Sequence, residues 1–486
     1  MMRRGFIAVA WSAACVAGCS QAPVVHLPEI PSATAFKEAP PAVAGTEMPP
    51  LQWDSWWQAF GDPALDGLEQ QLLQNSPDLA SALARYQQAR AATDALRAAE
   101  SPTLGTSLNV QRNRQSDRRP LRVLGPNSPD EYNSATLGLD FQYELDLWGR
   151  VKQQVAAGSA NERAAQADLA AARLALQAQL ADTLVSLRGL DQEARLLQET
   201  EAAYQRAAEL IGRRHDAGIA SGLDLARAEG QLASTRSQLR QSRAQRAVQE
   251  HAIAALVGAS ASSFSLPAEP VPMTLPQVPP LQPSTLLQRR PDVLAAQQRV
   301  LAANASAGAA RAAFFPAVQL SGQAGFQSSD LGRFIEMPNL FWALGPTLVF
   351  NLLDGGRRRA DNARADAAVE EAAQRYRGVV LAAFQQTEDQ LALLGRYGEA
   401  AVAERQATVA TARALALATN RYNAGAASYL EVVSSQTANL QAQRSALDLG
   451  TRQRRATVQL VRALGGGWSA ELAQTAAAAT DAAAQR

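Results

Sequence analysis

The sequence predicts a mainly α chain with a transmembrane β part, built as a duplicated repeat of helix, β-hairpin and long helical hairpin. Three observations carry this expectation. Pro and Gly recur at constant offsets: Pro77-Asp78 and Pro102 return as Pro291-Asp292 and Pro316, 214 positions later. Gly149-Arg150, Gly218 and Gly258 return as Gly356-Arg357, Gly425 and Gly465, now 207 positions later. Punctuation repeated at a fixed offset marks a duplicated architecture. Pro is absent from 131 to 266 and again after 346, which leaves room for very long helices. Finally, segments of about ten residues alternate between apolar and polar side chains, the period of a strand with one wet face.

Composition narrows the function classes. The 486 residues carry 46 basic and 45 acidic side chains, a formal charge of +1. That balance argues against a nucleic-acid partner held by net positive charge. Hydrophobic residues make up 47% of the chain, enough for a large core. Cys occurs only at 15 and 19, which excludes a disulfide scaffold and a Cys-based zinc site. The three His, at 26, 215 and 251, form no HExxH pair, and no GxSxG elbow or phosphate loop is present. The chain therefore reads as a non-enzyme that needs no metal and no cofactor.

Residues 1–18 read as a signal peptide, with Arg3 and Arg4 ahead of a mostly apolar run from Gly5 to Ala17. Val16-Ala17-Gly18-Cys19 resembles the lipobox of bacterial lipoproteins. That resemblance implies cleavage before Cys19 and acylation of its thiol and new amino group. Ser20 stands where inner-membrane retention would call for Asp, which implies the outer membrane. A signal peptide followed by an incidental Cys is the alternative. Several acyl chains anchor a protein stably, whereas one is marginal. Residues 19–61 are rich in Pro and small residues and show no helical period, so they read as an extended strap. Trp53, Trp56 and Trp57 are its expected anchors.

The first repeat covers 62–266. It holds a helix over 77–100, strands at about 103–113 and 135–145, and a helical hairpin over 150–257. In the second strand Leu137, Leu139, Phe141, Tyr143 and Leu145 alternate with Thr136, Gly138, Asp140, Gln142 and Glu144. The second repeat covers 267–467, with a helix over 291–314, strands at about 317–328 and 340–352, and a hairpin over 357–464. One seven-residue difference in the loop between 111 and 134 accounts for the change in offset. Residues 150–212 read as one helix of roughly 95 Å, with Leu176, Leu180, Leu184, Leu187 and Leu190 at a three-four spacing. A helix of about 25 residues set end to end on one of about 35 nearly matches that length. Residues 468–486 form an Ala-rich tail, expected to be loosely ordered.

Four strands cannot close a barrel, and an open sheet edge in lipid leaves backbone groups unpaired. Several copies must therefore share the membrane part. Taken together, the lipobox, the Trp-rich strap, the Pro-Asp helix starts, the Leu-Gly strands and the Gly-Arg helix entries resemble the TolC/OprM outer-membrane efflux factors. The resemblance covers Cys19 to about Gly467. Its lipidated, NodT-like branch is similar to the outer-membrane components of resistance-nodulation-division (RND) drug pumps.

That resemblance implies a homotrimer whose twelve-stranded β-barrel is continued by an α-helical barrel. It implies a passive duct, docked to a periplasmic adaptor and an inner-membrane pump of RND type, that carries drugs or other small molecules outward. It also implies site residues: Leu430 in an apolar gate ring, Glu431 in an acidic ring that attracts cations, and Asp224 and Tyr422 in a hydrogen bond that holds the closed state. Gly218 and Gly425 mark adaptor-contact tips. Each has a plainer alternative: a core Leu, a solvated acid at a helix end, and a Gly that supplies positive φ after a helix. Ser434 and Thr437 depart from the family, which often carries Asp and Arg at those positions. Two other functions stay open, a duct for protein secretion and a periplasmic adaptor lipoprotein. Met remains only at 48, 273 and 337 after the signal, which disfavours a Met-lined soft-metal path.

Overall fold

The computed structural model describes residues 28, 30, 34–39, 52–116, 131–268, 271, 273–279 and 283–468. The signal peptide, Cys19, much of the strap and the tail from Ser469 onward lie outside the described residues. In chain order the elements are a 3-10 turn (Trp53–Phe60), α1 (Pro63–Asn75), α2 (Pro77–Arg97), β1 (Thr103–Arg114) and β2 (Glu131–Leu145). There follow α3 (Arg150–Asp216), α4 (Gly222–Leu256), α5 (Pro283–Arg289), α6 (Pro291–Ala312), β3 (Ala317–Ser328) and β4 (Leu340–Val349). The last two are α7 (Arg357–Asn423) and α8 (Tyr429–Ala463). The long helices α3 and α7 have 67 residues each and their partners α4 and α8 have 35 each. The duplication thus extends to element length. Among the described residues no helix is long and apolar enough to cross a membrane.

The chain divides into two compact units, and both draw on both repeats. One unit comprises Met1–Pro28, Tyr86–Ala165 and Ala296–Tyr376. It contains a four-stranded antiparallel sheet in the order β1-β2-β3-β4. Both hairpins are pairings within a repeat, whereas β2 and β3 join the two repeats. Where the sheet meets the long helices, Gly149 takes φ 73° and Asp146 accepts hydrogen bonds from the N–H groups of Val151 and Lys152. That satisfies two orphan donors of α3. Trp148 stacks on Phe315 at 4.8 Å and donates to the carbonyl of Pro316 at 2.7 Å.

The second unit comprises Glu29–Arg85, Gln166–Ala295 and Arg377–Arg486. Its core joins Trp56, Trp57, Phe60, Leu65, Leu68 and Leu72 to Leu180, Leu184 and Leu187 of α3, with Ile253, Val458 and Val461 from the partner helices. Trp56 and Trp57 anchor the strap as expected. The described end of the strap is not extended, however: Trp53–Phe60 is a 3-10 turn. Three residues per turn bring Trp53, Trp56, Trp57 and Phe60 towards one side, and their burial outweighs the weak local propensity. Helix α1, which begins at Pro63 behind the capping Asp62, went unread in the sequence.

The end-to-end arrangement of short helices is visible in close backbone approaches. A Cβ on Gly258, just past α4, would meet the carbonyl of Asn75, and one on Gly465, just past α8, would meet that of Arg289. Both glycines also have positive φ, 72° and 92°, so no other residue fits without strain.

Glu69 of α1 is fully buried, and neither of its carboxylate oxygens finds a hydrogen-bond partner. Burial raises its pKa to about 8, against the smaller opposing pulls of Gln177 and Arg173. The folded state therefore favours the protonated acid. Between the ordinary carboxylate range and about pH 8 the unfolded chain holds fewer protons at this site, so stability falls as pH rises. Glu69→Gln should remove this slope. Thermal midpoints of variant and parent should be similar near pH 5 and diverge by pH 9, the parent losing on the order of a few kcal/mol. Parallel curves would exclude a buried ionisation.

Candidate functional site

The first functional surface is the sheet itself. In β1, Leu104, Leu108 and Val110 stand opposite Phe141, Leu137 and Ala135 of β2. Leu137, Leu139, Phe141, Tyr143 and Leu145 in turn face Phe326, Ala324, Gly322, Leu320 and Val318 of β3. Those residues face Leu340, Trp342, Leu344, Pro346 and Leu348 of β4. Because side chains alternate with a period of two, all of these lie on one face. That face is apolar across four strands, with Thr106 as a polar exception in its middle. It is also exposed: Leu104 is 71% accessible, Trp342 74% and Leu348 66%. The opposite face carries Asn109, Thr136, Asp140, Gln142, Glu144, Gln319, Gln323 and Thr347. An apolar face of this extent has no place in water. Among the described residues β1 and β4 pair with no strand on their outer sides, as in the wall of a larger membrane barrel rather than a closed structure.

The second surface is the pair of turns that close the helical hairpins. Each long helix ends in the same reverse turn. Gly218 (φ 75°) donates to the carbonyl of His215, and Ile219 to that of Arg214. Gly425 (φ 74°) donates to Tyr422, and Ala426 to Arg421. This is a Schellman closure, whose left-handed residue favours Gly. Backbone geometry alone thus favours both glycines. The turns differ in what they display: Ile219 is 76% exposed, where the second copy has Ala426.

Beside these turns, Ile211, Ala228, Tyr429 and Val432 form a small buried cluster, with Leu225, Tyr422 and Val433 packed against it. Tyr422 and Tyr429 approach ring to ring at 5.4 Å, and the Arg214 guanidinium lies 5.5 Å over the Tyr422 ring. Burial, with negative charge nearby, raises the Tyr429 phenol above its ordinary range. Tyr422 has ring partners here. Asp224 instead accepts from the Ser221 hydroxyl at 2.8 Å and pairs with Arg227 at 3.6 Å. The Ser221 hydroxyl also accepts from the Asp224 N–H, so Ser221 caps α4 while the Asp224 carboxylate holds its hydroxyl. Within this single chain, then, Asp224 and Tyr422 are not hydrogen-bond partners.

Leu430 is 47% exposed in the first turn of α8. Glu431 beside it forms an ion pair with Arg421 at 3.4 Å, both side chains being about half exposed. Thr437 accepts a neutral hydrogen bond from Gln231. Among the described residues no group of three or more His, Cys, Asp or Glu is placed to hold a metal ion.

One constellation gave no sequence signal. Arg188 of α3 donates to Asp62 at 2.8 Å, to Asp191 and to the carbonyl of Pro267. Arg246 of α4 donates to Asp191 at 2.6 Å and also to Glu250 and the carbonyl of Leu266. Asp62, Arg188 and Asp191 are buried. Arg188 and Asp191 stand three positions apart on one helix, but Asp62 lies 126 positions from Arg188 and Asp191 lies 55 from Arg246, so no local spacing announces the network as a whole.

A lipid-facing sheet too small to close, joined to long helical hairpins, defines an outer-membrane channel protein. The outer membrane efflux protein family model matches residues 68–259 and 282–466, and the chain belongs to that family. It is similar to outer membrane protein OprJ of Pseudomonas aeruginosa, 32% identical over 453 residues that cover 93% of each chain. It is also similar to the pyoverdine export outer membrane protein OpmQ of the same species, at 33% identity over 86% of this chain and 88% of that one. Among solved structures, the outer-membrane channel OprN superposes with a TM-score of 0.84 at 28% identity, covering 93% of this chain and all of that one. The protein is an outer-membrane efflux channel.

Proposed function

We propose that three copies of this chain form a passive duct that exports drugs or other small molecules. In this reading a periplasmic adaptor and an RND-type inner-membrane pump deliver the cargo, and the pump supplies the energy. The observation that carries the reading is the four-stranded sheet with one apolar face and two open edges. Such a sheet requires further copies to complete a barrel. The names of relatives point the same way, since OpmQ is named for exporting the small molecule pyoverdine.

Deletion of the gene tests this. The deletion strain should become several-fold more sensitive to a panel of small toxic compounds, with protein secretion unchanged. Intact resistance with lost secretion of a protein would instead support a secretion duct.

Lipidation of Cys19 belongs to the same proposal. Cys19→Ala should abolish incorporation of labelled palmitate and loosen the protein from membranes, and undiminished labelling would remove the anchor. The gate is proposed at Leu430 and Glu431, with Asp224 and Tyr422 behind them and with Gly218 and Gly425 at the adaptor-contact tips. Three Glu431 carboxylates around one axis would attract cations. Glu431→Gln should therefore weaken block by divalent cations in planar bilayers. Conductance and block identical to the parent would exclude Glu431 from the gate.

A further inference from the structure

The N-terminal strap has a second fastening, ahead of the turn that holds its tryptophans. Residues 36–39 turn back on themselves, the Ala39 N–H donating to the Phe36 carbonyl at 3.4 Å. The turn presents two consecutive backbone donors to one carboxylate. The Lys37 N–H donates to Glu388 Oε1 at 2.7 Å, and the Glu38 N–H donates to Glu388 Oε2 at 3.0 Å. Phe36, the residue before these donors, is buried. The Lys37 side chain is 86% exposed and its ammonium pairs with Glu38 at 3.3 Å, so the hold on Glu388 is made by the backbone. Glu388 belongs to α7 and lies in the same compact unit as the strap.

The internal duplication shows what is special about this position. At the 207 offset, Glu388 of α7 corresponds to Ala181 of α3. Ala181 is fully buried in the core that holds Trp56, Trp57 and Phe60. The strap thus meets both long helices at equivalent places, by apolar burial on α3 and through an acid on α7. A carboxylate that accepts two adjacent N–H groups makes charge-assisted hydrogen bonds. Glu388 is half-buried, so water solvates its charge when the strap leaves, and the contact opens without stranding a buried ion.

We infer that Glu388 is the docking site of a reversible latch, which closes on the Phe36–Glu38 turn and opens while the Trp53–Phe60 turn stays in the core. The partner is a segment of this same chain, recognised as an aromatic side chain followed by two free N–H groups. The latch sets how much chain separates the helical body from the Cys19 anchor, and this consequence alone rests on the lipidation proposed above. With the latch closed, 17 residues lead from Cys19 to Phe36 and span at most about 60 Å. With it open, 33 residues lead from Cys19 to Gln52 and span at most about 115 Å. The same contact shields the Lys37–Glu38 peptide bond. A protease must take the chain in extended form and pair with its backbone, and here the N–H groups of both residues are spent on Glu388.

A lysine-specific endoprotease tests the latch in the full-length protein, in membranes or mild detergent. Lys occurs only at 37 and 152, and Lys152 lies in the first turn of α3 with its N–H on Asp146. Cleavage after Lys37 tracks the open population as long as reclosing outpaces cutting. The parent should be cut far more slowly than a synthetic peptide of residues 30–44. Glu388→Ala should be cut roughly tenfold faster than the parent, and Glu388→Gln, which keeps one acceptor oxygen, at a rate in between. Phe36→Ala should also speed cleavage, and it leaves the helical body unaltered. Asp389→Ala, at the adjacent exposed acid, should be cut as the parent is. Helical circular dichroism and an uncut Lys152 establish a folded body in each variant. Equal rates for the parent and Glu388→Ala, or a parent cut as fast as the peptide, would overturn the latch. Palmitate labelling reads the anchor separately, since a protected but unlabelled chain removes the anchor and leaves the latch standing.

Discussion

Leu139→Arg is expected to abolish most outer-membrane assembly, although Leu139 is 51% exposed in the single chain. At an exposed position in a water-soluble protein such a change costs within about 0.5 kcal/mol either way. On the lipid face of a transmembrane barrel, Arg near the midplane costs about 2–4 kcal/mol. Leu139 lies in an interior strand, between Thr106 and Ala324, so no edge lets the guanidinium escape. Gln323→Arg is the matched control, because Gln323 lies on the polar face opposite Asp140. The control should assemble as the parent does. The measurement is the amount of protein in the outer-membrane fraction that shows a heat-dependent shift in electrophoretic mobility. Equal assembly of the two variants would refute the assignment of faces.

Asp191→Asn should destabilise the helical part by several kcal/mol. Asp191 accepts from both Arg188 and Arg246, and its side chain is only 2% exposed. Burying the two guanidinium groups is tolerable because carboxylates meet both of them, and Asp191 is the one that both share. Asp191→Asn leaves Arg188 on Asp62 and Arg246 on Glu250, so the cost is that of weakening two charge-assisted hydrogen bonds, each about 1.5–3 kcal/mol. Asp62 and Glu250 hold the outer sides of the network but reach only one Arg each. As a comparison, Arg396 and Glu399 form a pair about 70% exposed on each side. Arg396→Ala should cost less than about 1 kcal/mol. Urea unfolding followed by helical circular dichroism distinguishes the two, and a similar small cost for both would show that the buried network is not under electrostatic load.

The elements that could be read from sequence are those written in local periodicity. The strand alternation from Leu137 to Leu145 placed its apolar side chains on one face, and the pairing with β1 and β3 keeps them there. The three-four spacing of Leu180, Leu184 and Leu187 identified core positions of α3, all of them fully buried. Helix ends were legible to within a few residues because Gly149, Gly218 and their repeats mark backbone that L side chains disfavour. The reading failed where burial overrode local signals. Residues 53–60 coil into a 3-10 turn because four aromatic side chains share one core. Glu69 sits inside that core with no pattern to warn of it.

The candidate gate divides in the same way. Its residues were named by resemblance, and the structure places Tyr422 and Tyr429 in one small apolar cluster with Arg214 above. What each polar group holds was not legible: Asp224 turns to Ser221 and Arg227, and Glu431 to Arg421. Such choices depend on which side chains several helices bring together, and a spacing within one helix does not encode them.

By itself the amino-acid order determined the duplicated plan, the lengths of the helices and the two-faced strands, since each follows from backbone sterics and side-chain period over a few neighbouring residues. Only the tertiary structure decided that β2 meets β3, so that β1 and β4 are left as the open edges. It also decided that Arg188 closes on Asp62, 126 positions away. Contacts of that range are selected by the joint burial and pairing of distant segments, which no local propensity records.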